Sequence, residues 1–359
     1  MGLFTCKATG LLCTFIFCLA AFAADPTPAS LVHNGHYKQA RPLLEQQLRD
    51  NPTDANALVL MARIDLAYDN HDQAIKLLRQ AVAVEPGNSD AHVYLAEAYG
   101  RKIQHTGMFD KVGMAKTIRK ESERAVAADP SNLDALESLM EFHLEAPGMV
   151  GGNKDKAHEL AQRIAKIDPV RGDFAQADIA SHEKRYADEK QFQMKAVQRD
   201  PHSYDALTSA ANLYLRDHWL DYHLAAEYAA RGIAENPTRV RAYSLLARCY
   251  AAEGKLEPLK HLLANAEAKV PDDLSPYFYA GQVLLANKKD SGIAEEYLRK
   301  YLTQEPEGES PTLGEAHWRL GQALAQQGKK DEAMQEMKEA VRINPDLKDA
   351  RKDLEKLGS

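Results

Sequence analysis

The sequence predicts an all-α protein built as a helical solenoid, and three observations support this. The 359-residue chain is rich in Ala, Leu, Glu, Lys and Gln, which favour helices. Prolines recur at intervals of 32 to 44 residues, each after a run of helical character. Small and large apolar residues recur between them in a constant order, as is typical of helix–turn–helix repeats. The prolines are Pro52, Pro86, Pro130, Pro169, Pro201, Pro237, Pro271, Pro306 and Pro345.

These prolines predict where the helices end. Proline cannot continue a helix, and it biases the preceding residue away from helical angles. We therefore expect each proline to follow the second helix of a pair and to start the turn into the next pair.

The last repeat shows the pattern most clearly. Leu320 and Leu324 are four residues apart and so lie on one helical face. Between them, Gly321 is small enough to let a second helix approach closely, and Gly328 supplies the turn between the two helices. The second helix then carries a stripe of alternating small and large residues formed by Ala333, Met337 and Ala340.

This pattern resembles the tetratricopeptide repeat (TPR) family over roughly residues 30–350. The resemblance implies one continuous, right-handed superhelical α-solenoid whose first helices line a concave groove. We expect about nine helix pairs over residues 25–345, the first of them truncated, and a polar capping helix with a short tail over residues 346–359.

The N-terminus reads as a secretory signal over residues 1–24. Lys7 precedes an almost wholly apolar run at 11–21, and small residues at 21–24 precede Asp25. A retained membrane anchor is the alternative, although the run is shorter than the roughly 20 residues that span a bilayer. We therefore predict a periplasmic or secreted protein. Beyond the signal only Cys249 remains, so no internal disulfide is expected, and Cys249 is interpreted as a small packing residue.

The repeat is irregular in the middle. Extra residues around 100–114 predict a hydrophobic loop packed over a neighbouring helix, and Glu189 stands where a small residue is expected. Residues 146–152 resemble an Ala-Pro-Gly-x-x-Gly-Gly segment found in exported bacterial TPR proteins. These glycines match no phosphate-binding motif, so we expect a structural turn. Trp219, at the turn of its own repeat, is expected to pack in the seam between helix pairs.

The register predicts which side chains face the groove. Its N-terminal half is expected to be acidic, and its C-terminal half basic and then aromatic. Such a surface suits an extended partner that carries both charge signs, although charged faces on exposed helices are also ordinary. The predicted partner-binding residues are Glu137, Glu141, Arg216, Arg241, Arg248, Phe278 and Trp318.

The sequence gives no indication of catalysis. None of its thirteen histidines falls in a metal signature, and neither HExxH nor GxSxG occurs. We therefore predict no catalytic residue, no metal and no cofactor. The formal net charge of -7 argues against nucleic-acid binding, which favours a basic face.

Two functions remain open. The first is a non-enzymatic exported adaptor that binds a protein or peptide in its groove, and that forms either a monomer or a homo-oligomer. The alternative is a transporter-associated, solute-handling protein with a ligand pocket inside the superhelix. That alternative requires a closed, partly apolar cavity near Met108, Phe109 and Met149.

Overall fold

The structure, a computed structural model, describes residues 26–288, 290–308 and 311–358, apart from the side chains at 108 and 109. The predicted signal at 1–24 lies outside the described residues. The described residues form nineteen α-helices and no strand, which confirms the all-α solenoid. The helices of the nine successive pairs are α1 (Pro28–Asn34) with α2 (Tyr37–Asp50), α3 (Ala55–Ala67) with α4 (His71–Val84), α5 (Ser89–Lys102) with α6 (Met108–Ala128), α7 (Leu133–Glu145) with α8 (Lys154–Ile167), α9 (Pro169–His182) with α10 (Tyr186–Arg199), α11 (Tyr204–Leu213) with α12 (Tyr222–Glu235), α13 (Val240–Ala252) with α14 (Leu256–Lys269), α15 (Ser275–Ala286) with α16 (Ser291–Tyr301), and α17 (Leu313–Gln326) with α18 (Lys330–Ile343).

Short polar side chains start many of the first helices. The side chains of Asp54, Asn88, Asn132 and Ser203 each accept a hydrogen bond from a backbone N–H in the first turn of the helix that follows. Thr312 forms a capping box with Glu315 at the start of α17. Each cap satisfies a helix N–H that has no partner inside the helix and contributes about 1 kcal/mol.

Most turns inside a helix pair contain a residue in the left-handed conformation. Gly254 and Gly328 supply it with φ of 69° and 78°. Asp69, Lys184 and Lys288 take the same conformation at the corresponding turns, with φ of 59°, 60° and 55°. The turn geometry is therefore retained where the sequence has no glycine, at some cost in backbone strain.

Small residues let the helices of the array pack closely. A Cβ on Gly321 would lie 2.7 Å from Cγ of Met337 and 3.1 Å from the carbonyl oxygen of Ala333, as the sequence pattern predicts. Gly172 of α9 is packed more closely still, because its Cβ would lie 2.4 Å from both Cα and Cβ of Ala165 on α8. These contacts fix the spacing between helices, and therefore the curvature of the array.

Two expectations about the irregular middle are wrong. Residues 108–114 form no loop, because α6 begins at Met108 and is extended to 21 residues. A single glycine in a long helix costs only about 1 kcal/mol, so Gly113 does not interrupt it. Pro169 starts no turn either: it is the first residue of α9, where its missing N–H needs no partner.

A last helix, α19 (Lys348–Gly358), covers the C-terminal end of the array. Its Ala350 is fully buried in a cluster with Trp318, Met337 and Ala340, and Leu354 packs beside them. The opposite face of α19 is charged and exposed, as a solenoid cap requires.

We predict that Gly172→Ala destabilises the protein, because the added methyl group overlaps the backbone of α8. A loss of about 1–3 kcal/mol in the free energy of unfolding is expected from chemical denaturation. The matched control is Gly113→Ala, whose Cβ would meet nothing within 4 Å. That control should gain up to about 1 kcal/mol from helix propensity. Equal effects of the two substitutions would contradict the packing described.

Candidate binding surface on the inner face

The packing of the helices identifies the inner face. Along most of the array, the first helix of one pair contacts the first helix of the next, as in α3 with α5, α5 with α7 and α13 with α15. Within the described residues, second helices make no comparable contact with one another. The array therefore curves with its first helices inside, and their exposed side chains form the inner face.

A concavity on this face lies between α5, α6 and α7. It has a volume of about 660 Å³ and is open to solvent. Val93, Ile118 and Phe142 provide apolar lining, and Tyr94 adds a phenol ring. The polar lining residues include Glu97, Asp134, Glu137, Glu141 and Glu145. We call this concavity the acidic pocket.

The sequence brings these carboxylates together through helical spacing. Asn132 caps α7, and residues 134, 137, 141 and 145 then follow at intervals of three and four. Side chains at this spacing share one face of a helix. The predicted binding residues Glu137 and Glu141 therefore do lie on the inner face.

One arginine neutralises part of the pocket. Arg171 of α9 donates to Glu137 Oε1 through Nε at 2.8 Å and pairs with Asp134 at 2.5 Å. Glu97 is paired on its own helix with Arg101 at 2.7 Å. These pairs leave Glu141, Glu145 and, on the neighbouring α9, Asp178 without an ion pair among the described residues.

Glu141 and Asp178 have raised pKa values. The surrounding protein desolvates Glu141 and, together with the nearby carboxylates of Asp178 and Glu145, raises its pKa to about 7. Desolvation, with Glu137 and Glu189 nearby, raises the pKa of Asp178 to about 6. Both side chains still reach solvent. The inner face thus carries three acidic side chains, Glu141, Glu145 and Asp178, that pair with no cation among the described residues.

In the half of the groove that was predicted to be basic, only some of the arginine side chains are available to a partner. Arg216 is paired with Glu189, a side chain that is almost fully buried at a position where a small residue was expected. Arg241 is exposed and Arg248 half-buried. Neither has an ion pair among the described residues, so these two guanidinium groups are the free cations of this half.

The two aromatic candidates, Phe278 and Trp318, were predicted to face the groove, but both are buried. Phe278 is 3% exposed and packs against Tyr279 and Tyr301. Trp318 is 8% exposed, lies under α19 and donates to Asp353 at 3.1 Å. Their side chains belong to the core and are not available to a partner. The aromatic side chains at the pocket, Tyr94 and Phe142, were missed because helical periodicity alone does not reveal which first helices leave a gap between them.

The glycine-rich segment after α7 is a rigid turn. Gly151 has φ of 107°, and a Cβ on Gly152 would lie 1.7 Å from the carbonyl oxygen of Ala146. The carbonyl oxygen of Gly151 is 3.1 Å from Nδ1 of His143, and Asn153 caps α8. Met149 at its tip is 88% exposed. Gly151 is thus required by its backbone conformation and Gly152 by a close backbone contact, in agreement with the predicted structural turn.

Other kinds of site were searched in the described part of the chain. No group of three or more His, Cys, Asp or Glu side chains there is arranged to hold a metal ion. None of the helices in that part is both long and apolar enough for a membrane span. Cys249 is fully buried, and burial raises the pKa of its thiol to about 12.

Comparisons with known proteins identify repeats at both ends of the chain. Residues 31–80, 59–102 and 314–347 match family models described as tetratricopeptide repeats. The chain is 30% identical to the mouse interferon-induced protein with tetratricopeptide repeats 2 over 108 residues, which are 30% of this chain and 22% of that protein. It is 23% identical to the human protein O-mannosyl-transferase TMTC3 over 290 residues, which are 77% of this chain and 30% of that protein. The chain thus spans less than a third of the length of these curated relatives.

Two solved structures are similar to parts of this chain. A TPR protein of Thermus thermophilus has 20% sequence identity and a TM-score of 0.47, over 53% of this chain and 96% of that one. Yeast Tom70 has 13% identity and a TM-score of 0.48, over 92% of this chain and 79% of that one.

We predict that Glu141→Gln stabilises the protein, and more so as the pH rises. The folded-state pKa of Glu141 lies above its ordinary value, so the folded state binds the proton more tightly and loses stability as the pH rises from about 4.5 to about 7. The side-chain amide of the variant does not titrate, so its contribution to stability does not change with pH. Thermal unfolding should therefore show a higher Tm for the variant at pH 8 and little difference at pH 4.5.

The control is Glu159→Gln, which makes the same charge change on an exposed position of α8. A Tm difference for Glu141→Gln that is independent of pH would contradict the electrostatic description of the inner face.

Proposed function

Because the chain contains tetratricopeptide repeats at both ends, we propose that it is a protein-interaction scaffold that holds a segment of a partner protein against its inner face. The observation that carries the proposal is the excess of unpaired carboxylates around the acidic pocket. Charge of one sign gathered in a concavity destabilises the fold, and such sites are found where binding or chemistry requires them. The role requires only complementary charge and shape, so the proposed scaffold is non-enzymatic.

The chemistry of the pocket defines the partner segment. Glu141, Glu145 and Asp178 favour Lys or Arg side chains. The half-buried side chains of Tyr94 and Ile118, which also line the pocket, favour an apolar neighbour. Farther along the inner face, the guanidinium groups of Arg241 and Arg248 would donate hydrogen bonds to a carboxylate of the same partner. We propose a segment with a basic and apolar portion followed or preceded by an acidic one.

The solute-handling alternative finds less support in the geometry. It requires an enclosed, partly apolar cavity near Met108, Phe109 and Met149. The acidic pocket is open, and Met149 projects into solvent outside its lining. The side chains of Met108 and Phe109 lie outside the described residues.

An exported location remains a proposal, supported by the apolar segment within residues 1–24. N-terminal sequencing of the protein recovered from the periplasm or medium of its native host tests it. A mature N-terminus near residue 25 is expected, and recovery of the intact chain from the cytoplasm would contradict it.

The binding proposal is tested by selecting peptides from a random display library on residues 25–359 and measuring their affinity by fluorescence anisotropy. Selected peptides should combine Lys or Arg with an apolar residue. Glu141→Gln/Glu145→Gln should weaken their binding about tenfold or more, since two charge-assisted contacts are lost. Because protonation of Glu141 removes its charge, affinity should also fall as the pH drops from 8 to 6.

The control is Glu159→Gln/Glu332→Gln, a matched charge change on exposed positions of second helices. Selected peptides without basic residues, or equal affinity for both double variants, would contradict the proposed site.

A further inference from the structure

The first pair of the array meets the turns that follow α12, α14 and α16. The repeats of a solenoid contact their sequence neighbours, yet here the first pair also contacts residues more than 200 positions later. His36, Lys38 and Gln39, at the start of α2, face Asp272 after α14 and residues 304–308 after α16. We call this contact the clasp. It closes the curved array on itself, so the inner face becomes the lining of a ring.

Lys38 is the centre of the clasp. Its Nζ donates to the backbone carbonyl oxygens of Asp272 at 2.7 Å and Glu305 at 2.6 Å, and to Gln304 Oε1 at 3.2 Å. Its Nζ also lies 3.3 Å from Glu307 Oε2, and its backbone N–H donates to Glu307 Oε1 at 2.7 Å. The ammonium group therefore sits among four oxygen atoms contributed by the other end of the chain.

Further polar contacts surround Lys38. His36 Nδ1 lies 3.0 Å from Asp272 Oδ2, and Gln39 Nε2 donates to the same oxygen at 2.9 Å. The hydroxyl of Tyr68 donates to the carbonyl oxygen of Pro306 at 3.4 Å.

The clasp is suited to opening because it is almost wholly polar. The buried apolar cluster of the first three pairs and the large cluster of the C-terminal half are separate, and neither extends across the contact. Closure instead buries charge: the side chain of Glu307 is 1% exposed and that of Asp272 is 11% exposed. These groups regain hydration when the contact breaks, which offsets much of the lost attraction.

The opposite side of the ring contains a weak joint. Unlike other successive first helices, α9 and α11 make no substantial contact among the described residues. Beside them, Glu189 Oε2, Gln193 Oε1 and Arg216 Nε are buried without a hydrogen-bond partner. Unsatisfied buried groups make a packing arrangement less stable, so bending is least costly at this position.

We propose that the clasp regulates access to the inner face, opening to admit the partner segment and closing around it. The proposal rests on the proposed function, because it assigns a regulatory role to the surface that binds the partner. With the clasp closed, a continuous chain enters only by threading through the ring. With the clasp open, it enters from the side.

The titratable groups of the clasp determine whether it opens or closes as the pH rises. The hydrogen bond with Asp272 outweighs burial and raises the pKa of His36. Burial raises the pKa of Glu307 to about 7 despite Lys38, and burial also raises the pKa of Asp273. Burial alone would raise the pKa of Asp272, but the interaction with His36 outweighs burial and holds this pKa below the ordinary value. Near pH 7 the closed clasp thus binds more protons than separated groups would, so rising pH favours opening.

The charges next to the clasp do not reverse this direction. Arg63, Arg101 and Glu97 lie near Tyr37, and Arg41 lies near Tyr68. Among the described residues, Arg63, Arg101, Glu97 and Arg41 make no ion pair with His36, Asp272 or Glu307, whose own partners are described above.

The test measures the distance between spin labels at Glu45→Cys on α2 and Ala268→Cys on α14, two exposed positions on opposite sides of the clasp. The measurement uses residues 25–359, in which Cys249 is the one native cysteine; it is buried and stays unlabelled. In the wild-type background one short distance is expected at pH 6, with a second, longer population that grows towards pH 8. Lys38→Met should populate the longer distance at both pH values, and the exposed Lys76→Met should not.

Glu307→Gln is the second variant, because it keeps the shape of the clasp while removing its buried carboxylate. It should abolish most of the pH dependence while the far-UV circular dichroism remains helical. A single short distance in Lys38→Met at both pH values would overturn the proposal, as would an unchanged pH response in Glu307→Gln.

A binding measurement separates this proposal from the proposed function. A selected peptide should associate faster with Lys38→Met than with wild type. It should associate more slowly when Gln39→Cys and Asp272→Cys are joined by a bismaleimide. If no peptide binds any variant, the proposed function fails while the distance measurement still decides whether the clasp opens. Binding rates that are the same in all three proteins would contradict the gating role.

Discussion

The close approach of neighbouring helices through small residues is the contact on which the rest of the structure depends. Gly321 against Met337 and Gly172 against Ala165 allow separations that no larger side chain permits. Such close approaches set the spacing of neighbouring helices, and the contacts between most successive first helices place these helices on one curved inner face. The acidic pocket and the clasp both follow from that curvature. The first is a gap between inner helices, and the second forms where the curved array returns to its own start.

Electrostatics, rather than packing, distinguishes this array from a purely structural solenoid. Each pair must bury its apolar stripe, and it does so in clusters that run from Leu31 to Ala350. The carboxylates of Glu141 and Asp178 contribute nothing to that burial. Desolvation, with the nearby carboxylates, raises the pKa values of both side chains, so keeping them ionised in the folded state has a cost. A surface with this cost is reasonable for a protein whose bound state supplies the missing positive charge.

Sequence periodicity predicted the fold and part of the site, for physical reasons that can be named. Proline spacing and the alternation of small and large residues are local, so they predicted the helix pairs, the turn at Gly328 and the inward face of Glu137 and Glu141. Phe278 and Trp318 fit the same periodicity but are buried, because the neighbouring helices and α19 cover positions that an isolated helix would expose. The clasp could not be predicted, since it depends on curvature accumulated over more than 200 residues.

The central claim is that a partner segment binds on the inner face at the acidic pocket. The most direct measurement is the structure of the protein with a selected peptide bound. The account predicts a Lys or Arg side chain of the peptide within hydrogen-bond distance of Glu141 or Asp178, with an apolar neighbour against Ile118. A peptide bound only to the outer surface formed by the second helices, with the pocket unchanged, would contradict it.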